Sequence, residues 1–271
     1  MKNILSIHST VTVGFVGNNV VGPVLTALGL TPLLVPTVML AAHPGYGRRV
    51  GDAVPDRIVG DILAGLGTLT DVGQIAGIVS GYLGSTTQAD AIAGFVDSWR
   101  RAGSGQYILD PVLGDGGRLY IAAELAQAVI DTLLPRADII TPNSFELGFL
   151  SGMPVSNRSS AEAAAGRLLA TQPLGAVIAT GIDDSRYGVG DLLMTEKGGA
   201  SWSDAGGDGH NVAGGGDLLT AILAGQLAAG RDIDAAFQTA SQTAQRIIAA
   251  SDSPRDLSLL ENLDLVAALK I

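Results

Sequence analysis

Short strand-like runs take turns with longer helical ones along most of the chain. Apolar runs of strand length fall at residues 3–8, 32–38, 75–80, 107–109, 138–140 and 176–180. Apolar residues at helical spacing fall at 18–28, 55–66, 86–102, 122–134, 144–150 and 160–171. Such alternation predicts parallel strands joined by crossover helices, so the expected fold is α/β: a doubly wound, mostly parallel central sheet with helices on both faces. Beyond residue 180 the pattern changes. Residues 187–195 and 199–203 read as antiparallel strands turning near Lys197-Gly198 at the sheet edge, and helices follow at 217–229, 233–250 and near 263–269. No repeat of solenoid length is present.

Composition adjusts this picture in a few places. The stretch from 11 to 42 carries no charge, as a membrane span would, but Pro23, Pro32 and Pro36 with Gly22 and Gly29 interrupt it. A buried helix followed by a buried strand is the better account. The 271 residues show no linker and read as one large domain, with a core of Leu, Val, Ile and Ala because aromatics are only 4%. A net charge of -10 argues against a nucleic-acid partner and requires a local positive site for any anionic cosubstrate. The absence of cysteine excludes disulfides, thiolate metal sites and cysteine nucleophiles. The opening apolar stretch is too short for a signal peptide, which leads to the expectation of a cytoplasmic protein without membrane association.

Gly214-Gly215-Gly216-Asp217, running straight into an apolar helix, carries the strongest chemical signal. Successive glycines let backbone N–H groups approach an anion, and the helix dipole behind them favours negative charge. An acid in the same turn can accept a proton from an alcohol while those amides hold a phosphoryl group. The plainer alternative is an ordinary helix cap. Elsewhere, polar residues collect where strands are expected to end: His8-Ser9-Thr10, Gly81-Tyr82, Asp110-Pro111, Thr141-Pro142-Asn143 and Thr180-Gly181. Ligands of open α/β sheets bind beyond such ends.

Asp110 and Asp115 offer hard oxygen ligands of the kind that suit Mg²⁺. Asn143 and Glu146, spaced to face one metal at a helix start, equally fit a capping pattern. His43 read alone is a hydrogen-bonded structural histidine, and Trp99 and Trp202 read as packing residues. The Gly/Asp-rich segment 204–211, with His210 and Asn211, reads as a loop placed to fold over a nucleotide.

Together these segments resemble pyridoxal kinases of the ribokinase-like superfamily over essentially the whole chain, 1–271. The matching pieces are Ser6 to Ser9 with Gly17-Asn18, residues 38–46, Ser80 to Ser85, Asp110 to Asp115 with Tyr120, Thr141 to Glu146, Leu150 to Gly152, and Gly214 to Asp217. The resemblance implies a ribokinase-like fold and ATP-dependent phosphorylation of the 5′-hydroxymethyl group of pyridoxal. It implies that Asp217 is the general base and that the backbone of Gly214, Gly215 and Gly216 is the anion hole. Ser9, His43 and Tyr82 would lie on the vitamin side. Asp110, Tyr120, Thr141, Asn143, Glu146, Thr180, Gly181 and Gly216 would meet ATP, with Mg²⁺ near Asp110, Asp115 and Glu146, a monovalent cation such as K⁺, and a homodimeric assembly. Whether Asp217 gains basicity from a dry site or meets an already acidified alcohol stays open at this level.

Three positions depart from the family pattern. Gly215 replaces a common Thr, Pro44 a frequent Thr, and Gly181 a frequent Ser, each removing a hydroxyl worth about 1–2 kcal/mol as a hydrogen bond. A hydroxymethylpyrimidine or sugar kinase would use the same glycines and Asp217, and a non-catalytic pyridoxal- or nucleotide-binding protein is a further alternative. A nicotinamide-binding fold is disfavoured, since no G-x-G-x-x-G follows the first strand.

Overall fold

A computed structural model describes residues 2–69, 72–186, 188–204, 212–253 and 255–271. The first half runs β1 (Asn3–Val13), α1 (Asn18–Ala27), β2 (Thr31–Ala42), β3 (Gly51–Ala53), α2 (Asp56–Leu69), β4 (Ile75–Ser80), α3 (Thr86–Trp99) and β5 (Gln106–Leu109). There follow β6 (Gly114–Asp115), β7 (Arg118–Leu119), α4 (Ala123–Ala128), β8 (Ile139–Ile140), α5 (Ser144–Ser151), α6 (Arg158–Thr171) and β9 (Ala176–Asp184). The chain closes with β10 (Gly188–Thr195), β11 (Ala200–Asp204), α7 (Gly215–Ala228), α8 (Ile233–Ala249) and α9 (Leu263–Ala267).

One nine-stranded sheet has the order β11-β10-β9-β8-β5-β4-β1-β2-β3. Strands β9 through β2 in that order are parallel, while β10, β11 and β3 pair antiparallel at the edges. Central strands send successive side chains into two separate apolar layers. Leu5, Ile78, Tyr107, Ile140 and Val177 pack under α2 to α6. Their neighbours Ile4, Val79, Ile108, Ile139 and Ile178 pack under α1 and α7 to α9. Burial on both faces explains why these strands read as continuous apolar runs rather than alternating ones. Trp99 is fully buried, and its indole N–H donates to Ile75 O at 2.9 Å.

Several expected boundaries move. His8, Ser9 and Thr10 do not follow the end of β1; they lie inside it, at a register shift between His8 and Thr10. Two asparagines of α1 build this irregularity: Asn18 Nδ2 donates to His8 O and Val35 O, and Asn19 Nδ2 donates to Val11 O. These side chains supply hydrogen bonds that the interrupted ladder lacks. Beyond the shift β1 continues to pair with β2 as far as Ala42, so both strands are longer than expected. Thr180 and Gly181 likewise sit within β9, where its pairing with β10 shifts between Gly190 and Leu192. Helical structure expected over 122–134 instead leaves α4 at Ala128 and passes through a π-helical turn, Val129–Leu133, ahead of Pro135. β3 and the β6–β7 hairpin were not expected, being too short to carry a periodic signal. Residues 205–211, including His210 and Asn211, lie outside the described residues, as does Tyr187.

Candidate active site

A cleft of about 1140 Å³ opens along the carboxyl ends and strand irregularities of the sheet. Every residue expected at the site lines it, from Ser9, His43 and Tyr82 at one end to Thr180 and Gly181 at the other, with the glycine mouth of α7 between them. Arg49, Arg118 and Arg255 also face the cleft and set positive charge among its more numerous carboxylates.

Gly214 caps α7 with φ +91°, and a Cβ there would lie 2.1 Å from Phe15 O, so only glycine fits. A Cβ on Gly215 would meet Ile248 Cδ1 at 2.9 Å, the far end of a flexible side chain, so a larger residue there requires that methyl to move. Gly181 has φ +62°, a left-handed backbone that disfavours the family's Ser. Pro44 opens a short turn, Pro44–Tyr46, capped by His43 Nδ1 accepting from Gly45 N–H at 3.2 Å. Proline is well suited to that first position. Of the three departures, Gly181 alone has a backbone conformation that calls for glycine.

Asp217 occupies the first turn of α7, where Oδ2 accepts the Gly17 N–H at 2.8 Å and Oδ1 lies 2.9 Å from His8 Nε2. Asp110, just beyond β5, faces the same point: one ligand atom from each of His8, Asp110 and Asp217 lies within 4.8 Å of the others. The two carboxylates are driven apart in acidity. Burial, then the charges of Asp217 and Glu146, push Asp110 well above the usual carboxylate range. For Asp217 burial acts upward, while the charge His8 carries when protonated, its hydrogen bond and the Gly17 N–H act downward and set the group below its ordinary value. Asp217 is therefore the more acidic member of the pair and Asp110 the less acidic one.

Val112 holds the turn after Asp110 at φ +42°, strained for a β-branched residue and worth about 1–3 kcal/mol. The strain turns the Val112 N–H onto the Asp110 carboxylate. Thr220 Oγ1 reaches Asp110 Oδ2 at 3.3 Å and Thr141 Oγ1 at 3.0 Å, joining α7, β5 and the end of β8.

Asn143 and Glu146 form a full capping box on α5. Glu146 also accepts the N–H groups of Leu113 and Gly114, while Asn143 Nδ2 donates to Gly114 O, so the pair clamps the β6–β7 hairpin to α5. Burial prevails over three N–H donors and pushes Glu146 up to about 7. Asp115 sits on that hairpin with Oδ1 accepting the Gly116 N–H. Tyr120, half exposed, has its hydroxyl pKa raised by burial and then by Asp115 and Glu146. No Lys or Arg nitrogen among the described residues lies within salt-bridge distance of Asp110 or Glu146. Uncompensated hard carboxylates at the cleft wall fit Mg²⁺.

Toward the other end, Thr180 N–H bonds Pro142 O at 2.9 Å, and Gly181 N–H bonds the buried Asp191. Ser241 and Gln245 of α8 hold the second Asp191 oxygen, and burial raises its pKa. On the ring side, Thr37 Oγ1 fixes Tyr82 O at 2.6 Å. His43 and Tyr46 both bond Asp256, and the Arg255 guanidinium lies 4.6 Å from the centre of the Tyr46 ring.

Sequence reasoning missed His8 as a partner of Asp217, and also Thr220, Asp191 and Asp256. Thr220 had a usable signal, since it lies one helical turn beyond Asp217 on the same face. Nothing in the sequence marks Asp191 or Asp256 from among the chain's many acids.

A doubly wound sheet with a glycine-mouthed helix and a first-turn acid is the arrangement of a kinase, and the chain belongs to the phosphomethylpyrimidine kinase family, whose model matches residues 17–257. Within it the chain is similar to pyridoxal kinases. The pyridoxal kinase PdxY of Rubrobacter xylanophilus is 32% identical over 251 residues, covering 91% of this chain and 86% of that protein. The pyridoxine/pyridoxal/pyridoxamine kinase of Bordetella avium is 36% identical over 244 residues, 89% of this chain and 82% of that one. Among solved structures, the pyridoxal kinase of Leishmania donovani in complex with ADP and pyridoxamine superposes with a TM-score of 0.88 at 28% identity, covering 98% of this chain and 96% of that one. The fold is thus ribokinase-like, as the sequence led one to expect.

Proposed function

We propose that this chain transfers the γ-phosphoryl group of ATP to the 5′-hydroxymethyl group of pyridoxal, and accepts the related B6 vitamers. The observation that carries the reading is the placement of Asp217 in the first turn of α7, at its glycine mouth, inside a cleft lined on either side by Ser9, His43 and Tyr82 and by Asp110, Asn143, Glu146 and Thr180. In the proposed reaction the substrate hydroxyl oxygen attacks the γ-phosphorus, the bond to the ADP oxygen breaks, and the hydroxyl proton passes to Asp217. The amides of Gly214, Gly215 and Gly216 donate to the equatorial oxygens as charge builds there. Because Asp217 is held below the usual carboxylate range, it is a weak base in the resting site. Its role is to orient the alcohol and receive the proton late, as the bond to phosphorus forms.

Ser9, His43 and Tyr82 are assigned to the pyridine ring, and Asp110, Tyr120, Thr141, Asn143, Glu146, Thr180, Gly181 and Gly216 to ATP. Asp110, Asp115 and Glu146 are the residues that would hold Mg²⁺, which supplies charge neutralisation for the phosphates. A monovalent cation such as K⁺ is part of the same reading. No helix among the described residues is long and apolar enough to cross a membrane, and a cytoplasmic location is proposed. A homodimer is proposed through the β1–β3 side, where Val13, Met39 and Val50 are exposed. The whole chain acts as one kinase unit in this reading.

Phosphorylation of pyridoxal by the purified protein with MgATP and K⁺, beside hydroxymethylpyrimidine and ribose, tests the assignment. Pyridoxal 5′-phosphate as the preferred product supports it. The matching family model gives specific weight to a second reading, a hydroxymethylpyrimidine kinase, which preferential turnover of the pyrimidine would select.

A further inference from the structure

His8 is 2% exposed, and no expected role in the reaction accounts for it. Its ring is set into a space made by two glycines. A Cβ on Gly81 would lie 1.8 Å from His8 Nε2, and a Cβ on Gly17 would lie 2.7 Å from Nδ1. Neither position accepts even alanine without moving the imidazole. The ring's tautomer follows from its neighbours: Nδ1 accepts the Ser9 N–H at 2.8 Å, which leaves the ring proton on Nε2. That assignment makes His8 a donor toward Asp217 rather than a metal ligand.

Nε2 lies 2.9 Å from Asp217 Oδ1, yet the approach is oblique, and this buried donor has no aligned hydrogen-bond partner. Such a group is costly to bury and is seldom left unmatched. Catalytic hydrogen bonds often stay misaligned in the empty site and straighten once the reactants are bound. On its other side the ring touches the ring-side serine, with Nδ1 3.2 Å from Ser9 Oγ. The imidazole thus spans the gap between the residue assigned to the vitamin ring and the residue assigned to its hydroxyl.

We propose that His8 is a positioning residue, whose Nε2–H orients the Asp217 carboxylate toward the substrate hydroxyl and keeps it in register with Ser9. The inference rests on the kinase reading above. Gly17 N–H fixes one oxygen of Asp217, His8 steadies the other, and together they set the plane in which the proton is received. Ground-state binding of either substrate does not depend on that plane, so the effect falls on turnover.

The test is steady-state kinetics of wild type, His8→Leu and His8→Gln with pyridoxal and ATP, alongside thermal melts. His8→Leu is expected to lower kcat at least ~10-fold with both KM values within about 2-fold. His8→Gln, whose amide can accept from Ser9 N–H and donate to Asp217, is expected to recover most of that loss. A folded His8→Leu with wild-type kcat, or a folded His8→Gln no better than His8→Leu, overturns the proposal. A second readout does not need turnover or a His8 variant. The chain has only three histidines, so ¹⁵N-histidine NMR can follow His8 directly. The Nε2–H tautomer is expected, with a resonance that shifts in Asp217→Asn; the other tautomer or an unmoved resonance overturns the proposal. Wild type that phosphorylates no B6 vitamer would end the kinase reading, leaving the NMR result to decide the placement of His8.

Discussion

His43 and Asp256, 213 residues apart in sequence, meet at 3.2 Å, and the second oxygen of Asp256 takes the Tyr46 hydroxyl at 2.6 Å. Asp256 also pairs through its backbone with Ala213, immediately before the glycine mouth of α7. One acid near the C-terminus therefore ties the loop assigned to the pyridine ring to the segment proposed to bind phosphate. The His43 side chain is 8% and that of Asp256 24% exposed, so the tie is largely buried, and losing hydrogen bonds to a charged group costs about 1.5–3 kcal/mol. Asp256→Ala is expected to raise KM for pyridoxal about 5-fold with kcat within about 2-fold and to lower Tm by several degrees. A KM equal to wild type would show that the loop holds its place without the acid.

Asp217 accepts the Gly17 N–H on one oxygen, faces His8 Nε2 at 2.9 Å with the other, and has none of the basicity that burial alone would give. Asp217→Asn preserves size and most of the packing while removing the proton acceptor. Its kcat is expected to fall at least ~100-fold while ATP affinity, read by equilibrium binding, stays within about 2-fold. Near-normal turnover would remove Asp217 from the role of base.

Glu146 makes a stability prediction with a definite sign. Its pKa rises from 4.5 to about 7 on folding, so between these values the native state holds a proton that the unfolded chain has lost. The contribution is fully present below pH 4.5 and is lost as pH rises through 7, by about 3 kcal/mol for this group. Asp110 acts in the same direction. In EDTA, urea unfolding is expected to show stability declining over this range, and Glu146→Gln should flatten the decline. Adding Mg²⁺ near neutral pH should raise Tm, because a cation relieves the ionised carboxylates. A rising stability over the same range in EDTA would contradict the burial argument.

The alternation of strands and helices was legible because each central strand is buried on both faces and most helices on one, which leaves distinct periodicities, while α7 is buried nearly all round and reads as a continuous apolar run. The antiparallel edge of β10 and β11 was legible from the turn at Lys197-Gly198. The bulge at His8 was not, because it is made by Asn18 and Asn19, whose side chains substitute for ladder bonds across residues remote from any strand pattern. The glycine turn at 214–217, opening a helix with Asp217 in its first turn, showed in the sequence, since local composition creates it. Pairings such as His8 with Asp217 and His43 with Asp256 depend on tertiary contact and left no local trace. The capping alternative for Asn143 and Glu146 proved structurally correct, and the same two residues also anchor the hairpin that carries Asp115.

Ile248 packs against the glycine mouth at Gly215, the position where the resemblance to pyridoxal kinases leads to a threonine. A Cβ at position 215 would press on Ile248 Cδ1 at 2.9 Å, and Cδ1 is the far end of a flexible side chain. Gly215→Thr alone must push that methyl aside and is expected to cost about 1–3 kcal/mol by overpacking. Ile248→Val deletes the offending methyl and, by itself, is expected to cost about 1 kcal/mol. If the clash is the reason for Gly215, the double variant should be more stable than the sum of the two single losses predicts, because each change fills the space the other empties. The added hydroxyl at the anion hole should then lower KM for ATP relative to Ile248→Val. Urea midpoints of the four proteins measure the coupling directly. Strict additivity would mean that Ile248 does not determine the residue at 215.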